Sequence, residues 1–207
     1  MNIIWYGQNC FKLGLSGNKN GNSVELIVDP FEKEIGLRAP KIDESNIVLF
    51  SENQKPIPGV FSITGPGEYD IKGISIQGTE ALTKDKEKTT IYVIEAEDIK
   101  ICHLGLLGQK ELTTKELEGI GDIDILMIPI GGEKTIDAKE ALEIMAQIEP
   151  RITIPMYYHV PGLKTKLDGL DKFLKALGIK SPEPLAKLSV KKKDLPEDEA
   201  KVVVLQP

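Results

Sequence analysis

Short apolar or alternating runs bounded by Gly, Asn or Pro fill the first half of the chain, the pattern of β-strands. Residues 3–6, 11–15, 25–29 and 47–50 are four such runs, and 60–63, 74–78, 90–95 and 99–104 continue the series. The polar stretch 16–23 predicts a hairpin connection, and Gly65-Pro66-Gly67-Glu68-Tyr69 predicts a second turn. Helical periodicity begins later. Thr113 with Glu116 is a capping-box signal opening a short helix to about Ile120, and Asp137 with Glu140 is a clearer one. After it, Ala138, Ala141, Leu142, Met145 and Ile148 recur on one helical face until Pro150. Leu167, Leu170, Phe173, Leu174 and Leu177 mark a third amphipathic helix, ended by Gly178. Between the helices, 124–128 is a near-continuous apolar run, as in a strand covered on both faces, and 151–158 is the next strand. Residues 187–193 and 201–205 read as closing strands, with Lys191–Lys193 and Glu197–Glu199 as a solvated segment between them.

Strands first, then alternating helices and strands, predict an α/β (α+β) fold: two central sheets between outer helices, a four-layer αββα sandwich over residues 1–207 as one domain. Composition agrees, since 41% hydrophobic residues supply a sizeable core. A net charge of −6 argues against nucleic acid as a partner. No stretch approaches a membrane span and no leader precedes the first strand, so a cytoplasmic location is expected. Two cysteines, Cys10 and Cys102, sit in apolar runs and are too few for a disulfide framework.

Candidate chemistry lies at the ends of the strands. Six blocks stand out: Gly7-Gln8-Asn9-Cys10-Phe11, Val28-Asp29-Pro30-Phe31, Leu49-Phe50-Ser51-Glu52-Asn53-Gln54, His103-Leu104-Gly105-Leu106-Leu107-Gly108, Ile128-Pro129-Ile130-Gly131-Gly132 and Ile154-Pro155-Met156-Tyr157-Tyr158. In this order the chain resembles the metallo-β-lactamase superfamily, most closely its small branch of zinc-dependent hydrolases similar to the ascorbate-phosphate lactonases. The resemblance runs from Met1 to about Leu163. It implies a metallo-β-lactamase-like sandwich and, in the family, a zinc site at the strand ends.

The same resemblance places other residues where the family has ligands. After the strand ending at Ser51, Glu52 and Gln54 stand for the first two histidines, and Pro56 and Ile57 for an Asp-His pair. Leu106 stands for a metal-bridging Asp, Tyr157 for the last histidine and Gln8 for a histidine near the N-terminus. A further loop histidine is lost with a shortened loop over 82–88. Zinc takes imidazole, thiolate or carboxylate, and a catalytic site needs about three such ligands. Leu, Ile and Pro offer no donor. The resulting expectation is a degenerate site with no metal and no cofactor, in a pseudoenzyme acting in binding or assembly. The alternative is a lactonase- or phosphodiesterase-like hydrolase with an altered or metal-independent site built from Glu52, Asp29 and His159. Candidate partners are a small-molecule ligand, a second copy, or an active relative.

Asp29, Asn53, Gly131, Gly132 and His159 are the candidate pocket residues, expected to converge with Glu52, Gln54 and Tyr157. Each also has a plainer reading. Glu52, Asn53 and Gln54 suit a solvated loop. Asp29 suits a capping role, Gly131 and Gly132 a tight turn, and His103 a buried strand position. His159, two residues beyond Tyr157, is placed on the same face by strand alternation.

Overall fold

The computed structural model describes residues 1–16, 23–197 and 199–207. The expected hairpin connection over 17–22 and Asp198 lie outside the described residues. Strands β1 (Asn2–Gly7), β2 (Cys10–Ser16), β3 (Ser23–Val28), β4 (Ile47–Phe50) and β5 (Phe61–Thr64) lie side by side in chain order. The β1–β2–β3 pairings are antiparallel, while β3–β4 and β4–β5 are parallel. The second sheet takes β6 (Gly67–Ile71), β7 (Ile74–Leu82), β8 (Lys88–Ala96), β9 (Ile99–His103), β10 (Ile125–Pro129) and β11 (Ile152–Met156). It runs antiparallel up to β9 and parallel beyond it. Two short closing strands add one edge to each sheet: β12 (Leu188–Ser189) pairs with β1 and β13 (Lys201–Val202) with β11.

Parallel neighbours need crossovers, and in the second sheet helices supply them. Helix α1 (Thr114–Ile120) joins β9 to β10, α2 (Ala138–Ile148) joins β10 to β11, and α3 (Leu170–Leu177) follows β11. Both expected capping boxes form. Thr113 accepts from the Glu116 amide and Asp137 from the Lys139 and Glu140 amides, with each glutamate reaching back to the cap. The buried face of α2 is centred on Ala138, Ala141 and Ile144, with Leu142, Met145 and Ile148 only partly buried beside it.

The core lies between the sheets, from Ile3, Trp5 and Leu13 on one side to Ile101, Leu126 and Ile154 on the other. Strand β10 is buried at every position, as a doubly covered strand requires. The helices serve the second sheet: α1 touches β7 and β8, and α2 packs on α1 and α3. On the outer side of the first sheet, Cys10, Ile27, Val48 and Phe50 are covered by loop residues including Phe31, Ile42, Ile57 and Val60. Gly67 to Tyr69, expected as turn, belongs to β6. Lys192, expected in solvent, lies 2.9 Å from the buried carboxylate of Asp124 and ties the C-terminal segment to the start of β10. Among the described residues no helix is long and apolar enough to cross a membrane.

Candidate functional site

The ends of β3, β4, β9 and β11 meet the β1–β2 turn at one edge of the sandwich, and Asp29 is the hub of that edge. It follows β3 in a left-handed conformation (φ 46°) and its amide bonds the Leu49 carbonyl at 2.9 Å. Its buried carboxylate accepts from the Ser51 amide and the Ser51 hydroxyl, both at 2.6 Å, and from Asn9 Nδ2 at 2.7 Å. Burial pushes Asp29 up to about 6, against these bonds, which favour the charged form.

His103 extends the network. Its Nδ1 accepts from the Gly105 amide at 3.1 Å, so Nε2 carries the proton and donates to the Asn9 carbonyl at 2.8 Å. Burial holds the ring neutral, with its pKa lowered to about 4. The 4.0 Å approach of His103 Nδ1 to Asp29 is therefore not an ion pair. These contacts fix the loop beginning at Ser51. Thr90 donates from its amide to the Ser51 carbonyl at 2.8 Å and sets β8 beside the same loop.

Hydrocarbon and backbone fill the next layer. Gly105 has φ 55°, and a Cβ there would lie 2.7 Å from Ser51 Cβ. Leu106 is buried, with its amide on the Thr89 hydroxyl at 3.2 Å. Tyr157 is buried at φ 52°, its amide on the Gln8 carbonyl at 2.8 Å. Burial raises its phenol, and the Glu133 and Glu52 carboxylates add to that. Gln8 reaches Thr165 at 3.3 Å, and Lys164 bonds Ile35 at 3.0 Å, so two loops cover the Gln8 side.

On the other side of Glu52 an open cleft of about 620 Å³ runs between the Ser51–Gln54 loop, the Thr64–Pro66 turn, Glu80 and the Glu87–Thr90 start of β8. Burial raises the Glu52 carboxyl, with Asp29 and Glu87 adding to the rise and Lys134 opposing it.

The structure brings Glu52, Asn53 and Gln54 together in this cleft, and Tyr157 near Glu52 behind it. The expected single pocket does not form. Asp29 is sealed beneath Ser51, and Gly131 and Gly132 are a buried turn, the first so tight that a Cβ would run into the Tyr157 carbonyl. His159 is exposed and its amide bonds the Asp168 carbonyl at 2.9 Å, because β11 ends at Met156 and the left-handed Tyr157 breaks the alternation. Pro56 is exposed, and Ile57 packs on the outer cluster of the first sheet. The far wall of the cleft, from Thr64 to Pro66 and from Glu87 to Thr90, is absent from the sequence reading. Its one signal was the shortened 82–88 loop.

Residues 2–157 match the model of the β-lactamase superfamily domain. The chain belongs to the metallo-β-lactamase superfamily. A solved Thermotoga maritima protein, proposed to be a Zn-dependent hydrolase of this superfamily, is 34% identical, covers 99% of this chain and 97% of its own, and superposes with a TM-score of 0.78. A UPF0173 protein of Pyrococcus abyssi is 27% identical over 78% of this chain and 85% of its own length. A Thermoplasma volcanium relative, named a UPF0173 metal-dependent hydrolase, is 27% identical over 76% of this chain and 83% of its own.

These relatives correct the expectation that no cofactor belongs to this protein: metal dependence is part of the names of its kin. The donors at the matching positions do not fit a histidine-held zinc. Among the described residues no three His, Cys, Asp or Glu side chains come together as a metal set. Of the two histidines, His103 spends both ring nitrogens on backbone and His159 stands apart.

Proposed function

We propose that this superfamily member binds a small molecule in the Ser51–Thr90 cleft and does not turn over the family's substrates. Leu106 carries the reading. A buried isobutyl group stands where the resemblance calls for a metal-bridging carboxylate, and it can neither ligate nor accept a proton. The network behind it, from Asp29 through Ser51 and Asn9 to His103, still fixes the loop, as a binding site needs. The polar groups that face the cleft, Glu52, Asn53 and Gln54, are held on that loop.

A mixed set of small polar molecules, followed by amide chemical shifts, tests the reading. Shifts are expected at Ser51–Gln54, Thr64, Gly65 and Glu87–Thr90. Shifts confined to another surface would overturn it. The second reading, hydrolysis at an altered site, is favoured by the metal-dependent hydrolases among the relatives. It requires turnover with water as co-substrate, whereas the binding reading requires only occupancy.

A further inference from the structure

We propose that the cleft takes a small molecule bearing a positively charged amine with N–H donors, seated against Glu52 and Glu87. This rests on the binding reading above. The cleft, about 620 Å³, lies in the size range of small-molecule sites. Its charge balance sets the ligand's sign. Glu52, Glu80, Glu87 and Lys88 are the charged residues lining it. Lys88 is 2.7 Å from Glu80, so that pair neutralises itself. Glu52 and Glu87 remain, and among the described residues neither has an ion-pair partner, although Lys134 acts on Glu52 from a distance. Behind Glu52 lies the sealed carboxylate of Asp29, which is already bonded by Ser51 and Asn9. An anionic ligand would add a further negative group to this arrangement; a cation relieves it.

The rest of the lining sets the kind of cation. Among the described residues no aromatic ring lines the cleft. A quaternary ammonium, which has no N–H and is recognised mainly by ring faces, would gain little there. A primary or secondary amine can donate charge-assisted hydrogen bonds to both carboxylates. The exposed amides of Asn53 and Gln54, with Thr64 opposite, offer donors and acceptors to a polar body beside the amine.

Titration of the full chain, followed by NMR and calorimetry, tests this with four probes: a short linear diamine, its fully N-methylated quaternary analogue, a neutral polyol of similar size, and inorganic phosphate. The diamine should bind and shift the cleft amides, weaken as salt rises, and exceed the quaternary analogue in affinity. Glu52→Gln and Glu87→Gln should each weaken it roughly ten-fold, since each removes a hydrogen bond to a charged group. Circular dichroism on both variants separates this loss from misfolding. Binding of the polyol or phosphate in the cleft without the diamine would overturn the amine inference and leave the binding reading standing. Equal binding of the diamine and its quaternary analogue would overturn the N–H requirement. Shifts from none of the four probes, nor from the mixed set above, would overturn both.

Discussion

Asp29 and His103 are buried titratable groups that pull stability in opposite directions with pH. The Asp29 carboxyl is raised from 3.8 to about 6 in the fold, so the stability it contributes is complete below about 3.8 and is lost as pH rises through 6. The His103 ring is lowered from 6.5 to about 4, so its contribution is complete above 6.5 and is lost as pH falls through 4. Each is on the order of 3 kcal/mol, and between about pH 4 and 6 they offset one another. Asp29→Asn removes one side of this balance. Urea unfolding of that variant should show stability falling more steeply than in the parent from pH 6.5 to 4; parallel curves would contradict the assignment. Leu106 gives a second test. Leu106→Asp puts a carboxylate in a buried site, and should cost about 3–5 kcal/mol. Denaturant midpoints near the parent's would mean that the site opens to water more readily than the packing implies.

Elements whose signals are local were legible in the chain. Both capping boxes, the continuous apolar run of β10 and the glycine after α3 act within a few residues, and each stands where its pattern puts it. Asp137→Ala should therefore destabilise α2 by about 0.5–2 kcal/mol, read as a drop in thermal midpoint. Illegible features depended on tertiary pairing or on a single backbone angle. The cleft exists because β8 starts beside the loop after β4, through the Thr90–Ser51 bond between segments far apart in sequence. His159 left the site because one residue, Tyr157, took φ 52° at the end of β11. On α2 the residues Ala138, Ala141, Leu142, Met145 and Ile148 do face the core, and the packing adds Ile144 to them, because only the neighbouring elements fix how far an amphipathic helix is rotated.

At the scale of the molecule, the chain keeps the sandwich of its superfamily and the bracing of the strand ends, while the positions expected to bear ligands hold Gln8, Glu52, Gln54, Pro56, Ile57, Leu106 and Tyr157. These positions are spread over different parts of the structure. Tyr157 and Leu106 are core, Ile57 packs on the outer side of the first sheet, and Glu52 and Gln54 line the cleft. Fold and activity are separable on a common scaffold, and the binding reading proposed above takes this chain as such a case. The most direct measurement is turnover. Lactone and phosphodiester substrates would be offered to this protein and to the Thermotoga maritima relative side by side, each supplemented in turn with zinc, manganese and iron. The account predicts no turnover above buffer for this chain under any of these conditions. Multiple turnover that Glu52→Gln or Tyr157→Phe abolishes would contradict it.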